Sequence, residues 1–187
     1  MNNKIIDQLE ETYSEEFSLI AGDLGALEET VKAKMQQLGQ GLLQRLVGRD
    51  VNGYKGSSIL CKCGGSMKFI QHRSKNIHTL FGWITVKRAY YHCADCGESI
   101  FPYDLSSGLG AEQVSPALAK ACCLLAVDDS FEQSSRKIES ITGQKISDNT
   151  IERVACQVGS VIEQQHNQQL QKFFADKQIP QSQSCPE

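Results

Sequence analysis

The 187-residue chain contains no apolar run approaching the roughly 18 residues a membrane-spanning helix needs. Its opening segment, MNNKIIDQLEETYSEEF, is acidic and has no apolar core of the kind a secretion signal carries. Together these absences predict a cytoplasmic protein with no membrane partner. A third absence is local. Residues 51–94 contain no aspartate or glutamate, yet carry seven Lys/Arg and three of the four histidines. The flanks are the reverse, with five Lys/Arg against nine Asp/Glu in residues 1–50 and seven against thirteen in residues 95–187. A cationic block inside a chain of net charge −3 points to a polyanion, most often nucleic acid. The plain alternative is a solvated face on which lysines happen to cluster.

The rest of the composition is ordinary for a globular protein, 40% hydrophobic and 22% charged. The length suits one domain or two to three small ones. Eight cysteines stand out against this background. In a reducing compartment, paired cysteines read as metal ligands or redox groups before disulfides. Cys61 and Cys63 precede Gly64-Gly65, and after twenty-nine intervening residues come Cys93, Cys96 and Gly97. C-x-x-C followed by glycine is a metal knuckle, two thiolates on one side of a tight turn. A hairpin between the halves brings all four sulfurs together, the zinc-ribbon arrangement. The first half is one residue shorter, which makes His92, next to Cys93, a candidate substitute ligand. A thioredoxin-like redox pair is disfavoured because the C-x-x-C precedes no helix; buried thiols without a metal remain an alternative. Four thiolates leave no open position, so a zinc ion here is structural and contributes folding energy. Cys122, Cys123 and Cys156 read as small hydrophobes on apolar helix faces, and Cys185 lies in the tail.

Around the cysteines the chain predicts an α+β fold, mainly helical with a small antiparallel β ribbon in the middle. Residues 1–50 form a helical arm, with Leu24, Leu27, Val31, Met35, Leu38, Leu42 and Leu46 as an apolar stripe. Gly39 and Gly41 weaken its centre by roughly 1 kcal/mol each. The stripe packs on the chain's own body or on a partner, with a homo-oligomer among the outcomes. Residues 51–110 form the ribbon, three or four short strands rich in β-branched and aromatic residues. Residues 111–174 are helical. Pro116 opens a buried helix. Ser130 caps a second, with Phe131, Ile138 and Ile141 inward and Gly143 as its stop. Ser147 or Asp148 begins a third, with Ile151, Val154, Ala155, Val158 and Ile162 on one face. Residues 175–187 read as a disordered tail.

The last two helices have the layout of a helix-turn-helix, whose second helix presents its first turns to the DNA major groove. Asn149, Thr150 and Arg153 would be the reading residues. An ordinary helical hairpin is the competing interpretation. In the ribbon, Lys68, Arg73, Lys75, Lys87 and Arg88 are the candidate phosphate contacts.

The order of these pieces resembles a known family. "CKCGG", then "RSKNIHTLFGWITVKRAYYHCADCGESIFPYD", "VSPALAK", "SFEQSSRKIESITG" and "ISDNTIERV" are similar to the N-terminal half of ISKra-type bacterial insertion-sequence transposases. The likeness runs from about Leu43 to about Phe174. It implies a zinc-ribbon-like segment and a helix-turn-helix ahead of an RNase-H-like domain with an acidic, two-metal catalytic triad. No strand carrying a candidate catalytic acid follows in this chain, and Asp128-Asp129 read as turn residues. The resemblance therefore implies a transposase, while the residues present imply a non-catalytic fragment, either a truncated remnant or the first frame of a split transposase. Such a fragment would be nucleoid-associated and bind double-stranded element ends, beside a separate catalytic half or a full-length transposase. A zinc-ribbon adaptor or a regulator of transposition is the alternative.

Overall fold

The structure is a computed structural model that describes residues 3–49, 53–110 and 112–176. The expected tail from Lys177, with Cys185, and the expected boundary at residues 50–52 lie outside the described residues. The fold is α+β, with one four-stranded antiparallel sheet amid helices. The chain divides into two compact units, Met1–Ser115 and Pro116–Glu187. No helix among the described residues is long and apolar enough to cross a membrane.

The first unit is organised by one long hairpin. Strands β1 (Ser58–Leu60), β2 (Ser66–Thr79), β3 (Gly82–Cys93) and β4 (Ser99–Ile100) follow one another in space as in sequence. Instead of several short strands there are two long ones, flanked by two very short ones. The polar run "RSKN" lies inside β2, and the hairpin turns at Leu80-Phe81. The Thr79 hydroxyl holds that turn, donating to the Gly82 carbonyl (2.7 Å) and accepting from the Phe81 amide (3.1 Å). After β4 the chain forms a short helix, α3 (Pro102–Ser107), where the sequence predicts a continued strand and a loop. Pro102 opens it, a position where proline's missing N–H costs nothing.

The hairpin buries different faces at its two ends. On β3 the buried positions are Gly82, Ile84, Val86 and Arg88, then Ala89, Tyr91 and Cys93, so the parity changes midway. One cluster comprises Ile77, Ile84 and Val86; the other comprises Cys61, Met67, Ala89, Tyr91 and Cys93. On β2 a bulge at Ile70 inserts one residue between the Phe69–Tyr91 and Gln71–Tyr90 pairs. The inserted residue swaps the face reached by every position beyond it and increases the local twist. Met67 and Phe69 therefore serve one cluster and Ile77 the other, although all three are odd-numbered.

The helical arm belongs to this unit. It is two helices, α1 (Asn3–Leu19) and α2 (Leu24–Arg49), the second capped by the Asp23 carboxylate on the Ala26 amide (3.1 Å). Leu43 and Val47 of α2 pack against the Ile77–Ile84–Val86 cluster. Gln40 and Gln44 complete the edge of β3. Their side-chain amides donate to the Trp83 (2.6 Å) and Thr85 (2.9 Å) carbonyls, and the Gln44 carbonyl oxygen accepts from the Thr85 amide (2.8 Å). Side chains thus stand in for a neighbouring strand on an edge that would otherwise invite another chain. Gly39 has a purpose that its low helix propensity hides: a Cβ there would lie 2.5 Å from the Phe81 ring. The stripe from Leu24 to Leu46 is not the packed face. Six of its seven members stay exposed, all but Leu27.

The second unit contains α4 (Pro116–Ala126), α5 (Phe131–Thr142) and α6 (Asp148–Asp176). Ser130 caps α5 by accepting from the Gln133 amide (3.3 Å), and Gly143 closes it in the left-handed conformation. Ser147 caps α6 through the Thr150 amide (3.2 Å). The core is Leu118, Cys122, Ile138, Ile146, Ile151 and Val154. It is narrower than the apolar pattern predicts: Leu124, Val127, Ile141 and Ile162 are exposed, as is Cys156. From Gly159 to Lys172 every residue of α6 is exposed.

Two isoleucines of α5 separate core from surface. Ile138 is 1% exposed and Ile141 65% exposed. Ile138→Ala should cost about 2–5 kcal/mol, whereas Ile141→Ala should stay within about 0.5 kcal/mol of wild type. Urea unfolding followed by helical circular dichroism measures both.

Candidate metal centre and nucleic-acid face

The two cysteine pairs sit on two related turns at one end of the hairpin. In the first, the Gly64 amide donates to the Cys61 carbonyl (3.0 Å) and the Cys61 amide to the Gly65 carbonyl (2.9 Å). In the second, the Gly97 amide donates to the Cys93 carbonyl (3.0 Å) and the Cys93 amide to the Glu98 carbonyl (2.9 Å). The pattern is the same with one residue removed, so the shorter C-x-C spacing is absorbed by a tighter turn and not by the ligand set. Gly64 (φ +87°) and Gly97 (φ +75°) each take the positive φ that ends the turn.

The four Sγ atoms of Cys61, Cys63, Cys93 and Cys96 lie within 4.8 Å of one another. Across the two turns, Cys61 and Cys96 are 3.5 Å apart and Cys63 and Cys93 3.7 Å. Four sulfurs bound at ~2.3 Å to a tetrahedral ion stand about 3.8 Å apart. The cluster therefore has the dimensions to hold a metal ion. Its thiols do not ionise alike. The Cys96 amide, helped by that of Asp95 and by neighbouring thiols, pulls Cys93 down to about 7 against the effect of burial. The Cys63 amide lowers Cys61, but burial and the surrounding thiols outweigh it and push Cys61 up to about 12. A site where one thiolate forms readily and the next is opposed is what a central cation relieves. His92 is outside this cluster; its Nδ1 is hydrogen-bonded to the Ser99 hydroxyl (2.9 Å).

The five ribbon cations are divided between two faces. By cross-strand pairing, Lys68, Arg73, Lys75 and Arg88 share the face of Ile77 and Ile84, and Lys87 lies on the other. Lys68 and Arg73 are exposed, with the Arg73 guanidinium 3.7 Å from the Tyr90 ring centroid. Lys75 Nζ donates to the Gly110 carbonyl (2.9 Å). Arg88 departs from its expected role. It is 7% exposed, ion-paired to Asp104, and covered by the Phe101 ring at 4.0 Å. Its charge is neutralised inside the unit by an acid from α3, so it is a packing residue and not a surface cation. Tyr91 is likewise internal, its hydroxyl donating to the Gly56 carbonyl (2.8 Å) and accepting from the Lys55 amide (2.8 Å).

In the second unit, Asn149, Thr150 and Arg153 lie in the first turns of α6. Asn149 and Arg153 are exposed and Thr150 is half-buried. Arg153 donates to the Thr150 hydroxyl (3.3 Å), and the Ser147 hydroxyl is 2.8 Å from the same oxygen. Asp148 and Glu152, also exposed, put negative charge beside them. No local signal in the sequence singles out Trp83, half-exposed on the hairpin, or Asp104, which neutralises Arg88.

The family described as "Uncharacterised protein family (UPF0236)" matches residues 23–178. No curated protein matches the chain.

Metal content of purified variants tests the ligand set. Cys61→Ser, Cys63→Ser, Cys93→Ser and Cys96→Ser should each lose most of the bound metal, while His92→Ala should retain it. Elemental analysis by mass spectrometry is the readout, and full retention in any cysteine variant would remove that residue from the site.

Proposed function

The chain belongs to the UPF0236 family, and from its cysteine cluster and cationic hairpin we propose that it is the DNA-binding portion of an insertion-sequence transposase. In this reading Cys61, Cys63, Cys93 and Cys96 hold a structural zinc ion. The ion keeps a cationic hairpin in shape for phosphate contact, and the start of α6 supplies base reading in double-stranded element ends. The observation that carries it is the four-thiol cluster, at tetrahedral spacing, closing one end of a hairpin whose two strands contain no acid. An all-thiolate donor set favours zinc over harder cations. With every position filled by protein, the ion has no room for a substrate, which makes its role structural. The similarity to ISKra-type transposases supplies the biological setting, a bacterial cytoplasm with the protein on the nucleoid.

The partners this reading implies are a separate catalytic half or a full-length transposase. Among the described residues the thiol cluster is the only group of three or more Cys, His, Asp or Glu side chains placed to share a metal. Phosphate contacts fall to Lys68, Arg73 and Lys87, which are exposed, with Lys75 at the margin. Asn149 and Arg153 are the base-reading candidates, opposed by Asp148 and Glu152.

One observation favours a second reading, a zinc-ribbon adaptor or regulator that works through protein contacts. The exposed stripe on α2 from Leu24 to Leu46 is large for an unpartnered surface helix, and it also suits a homo-oligomer. A mobility-shift assay with duplex DNA at low salt separates the two, since an adaptor gives no shift.

The electrostatic account predicts a salt dependence. Neutralising four phosphates gives a slope near −3.6, or an affinity loss on the order of 100-fold between about 50 and 200 mM salt. Arg73→Ala and Lys87→Ala should each reduce the slope by about 1. Fluorescence anisotropy at several salt concentrations measures it, and an affinity that ignores salt would sink the proposal.

A further inference from the structure

The cations that the sequence singles out on the Ile77–Ile84 face are largely engaged within the protein, Arg73 on Tyr90, Lys75 on Gly110 and Arg88 on Asp104. The opposite face of the same strands is different. Cross-strand pairing places Trp83 and Thr85 beside His78 and Asn76, and Lys87 opposite Ser74. Thr85, Lys87, Ser74 and Asn76 are exposed, and neither strand contains an acid. Lys87 has no hydrogen bond or ion pair among the described residues. The Thr85 hydroxyl donates to the Asn76 side-chain oxygen (2.9 Å), which leaves the Asn76 NH2 group as a donor.

Trp83 is the feature that gives this face a ligand. Its indole stacks on the His78 ring, with centroids 4.4 Å apart and planes 14° from parallel. His78 is buried, so the indole rests on a fixed support, yet Trp83 remains 51% exposed. Its backbone carbonyl is held by Gln40 of α2 (2.6 Å). A large aromatic ring already held in place gives a flat surface to a planar ligand at little ordering cost. Lys87 follows four residues along the same face, about 13 Å away, within reach of the backbone of a nucleotide or two stacked from Trp83. An aromatic platform, a cation down the strand, small polar side chains between them and no acid are the elements of a single-strand site. A base inside a duplex is not free to lie on the ring.

We infer that the Trp83–Lys87 face of the β2–β3 hairpin is a binding site for unpaired DNA, with one base stacked on Trp83 and a backbone phosphate at Lys87. This rests on the reading of the chain as a DNA-binding protein, and it adds to double-strand recognition a place for a frayed or displaced strand.

Trp83 is the chain's single tryptophan, so its emission reports on this site alone. The full-length metal-loaded protein is titrated with a fluorescein-labelled single-stranded oligo-deoxythymidylate and with a blunt duplex, reading anisotropy and tryptophan emission separately. The single strand should quench the emission by about half or more, and the duplex, at equal saturation, should leave it nearly unchanged. Trp83→Leu should weaken single-strand binding about tenfold and Trp83→Phe, which restores a stacking ring, by about threefold or less. Lys87→Ala should weaken it severalfold, whereas Lys62→Ala, removing the same charge from the first cysteine turn, should leave the quenching amplitude as it is. If Trp83→Leu loses its metal or its fold, Trp83→Phe and the wild-type quenching decide. Single strand bound at unchanged emission, with the tryptophan variants at wild-type affinity, overturns this site and leaves the DNA-binding proposal standing. Equal quenching by the blunt duplex overturns the assignment to unpaired DNA. Failure to bind either DNA overturns both.

Discussion

Four sulfurs must arrive at one point from two turns of unequal length. Cys61 and Cys63 come from a turn one residue tighter than the one presenting Cys93 and Cys96, and both must sit at the same end of the β2–β3 hairpin. The pairing of Met67 with Cys93 and of Leu60 with Ser66 meets that requirement. A slip of one residue in either would carry a cysteine to the wrong side of the sheet. The hydrophobic cluster beside the thiols is built from Met67, Ala89, Tyr91 and two of the cysteines themselves. So small a cluster stabilises little by burial alone, and the four thiols beside it are placed where a metal ion could add to that stability.

The far end of the hairpin is held by other means. Leu43 and Val47 of α2 cover Ile77, Ile84 and Val86, and the two glutamines bond to the open edge of β3. Between the ends, the Arg88–Asp104 pair ties α3 to β3 beneath the Phe101 ring. Removing Asp104 alone would leave a buried guanidinium without its counter-charge, the costly way to break such a pair. Each fastening belongs to a different part of the chain, which is why the arm, the ribbon and α3 form one unit.

Much of this was legible in the sequence where the signal is local. Two Cys-turn-Gly motifs flanking β-rich sequence announced the thiol cluster, and Pro116, Ser130, Gly143 and Ser147 marked helix ends by their own backbone chemistry. The failures share a cause: they depend on neighbours distant in sequence. The acid-free block ends at Asp95, nine residues before Asp104, so counting within it could not show Arg88 neutralised. The α2 stripe is regular, yet the packed face is chosen by where β3 presents Ile84 and Val86. Ile141 and Ile162 continue their helices' apolar periods past the point where another helix covers them. Trp83 went unremarked because a lone aromatic in a strand reads as core until its support and its open side are both visible.

The change of buried face at the Ile70 bulge has a mechanical consequence. The hairpin is a beam clamped from opposite sides at its two ends, by thiol chemistry at one and by helix packing at the other. On β2 its middle, from Ile70 to Asn76, is mostly exposed, whereas β3 alongside it keeps Val86, Arg88 and Ala89 buried. Because the two clamps share no residues, loosening the first frees one end to fray without lifting the other from α2. Removal of the proposed metal, or oxidation of the thiols, would then act on the ribbon as a partial release, unzipping it from the cysteine end and leaving the Trp83 end in place.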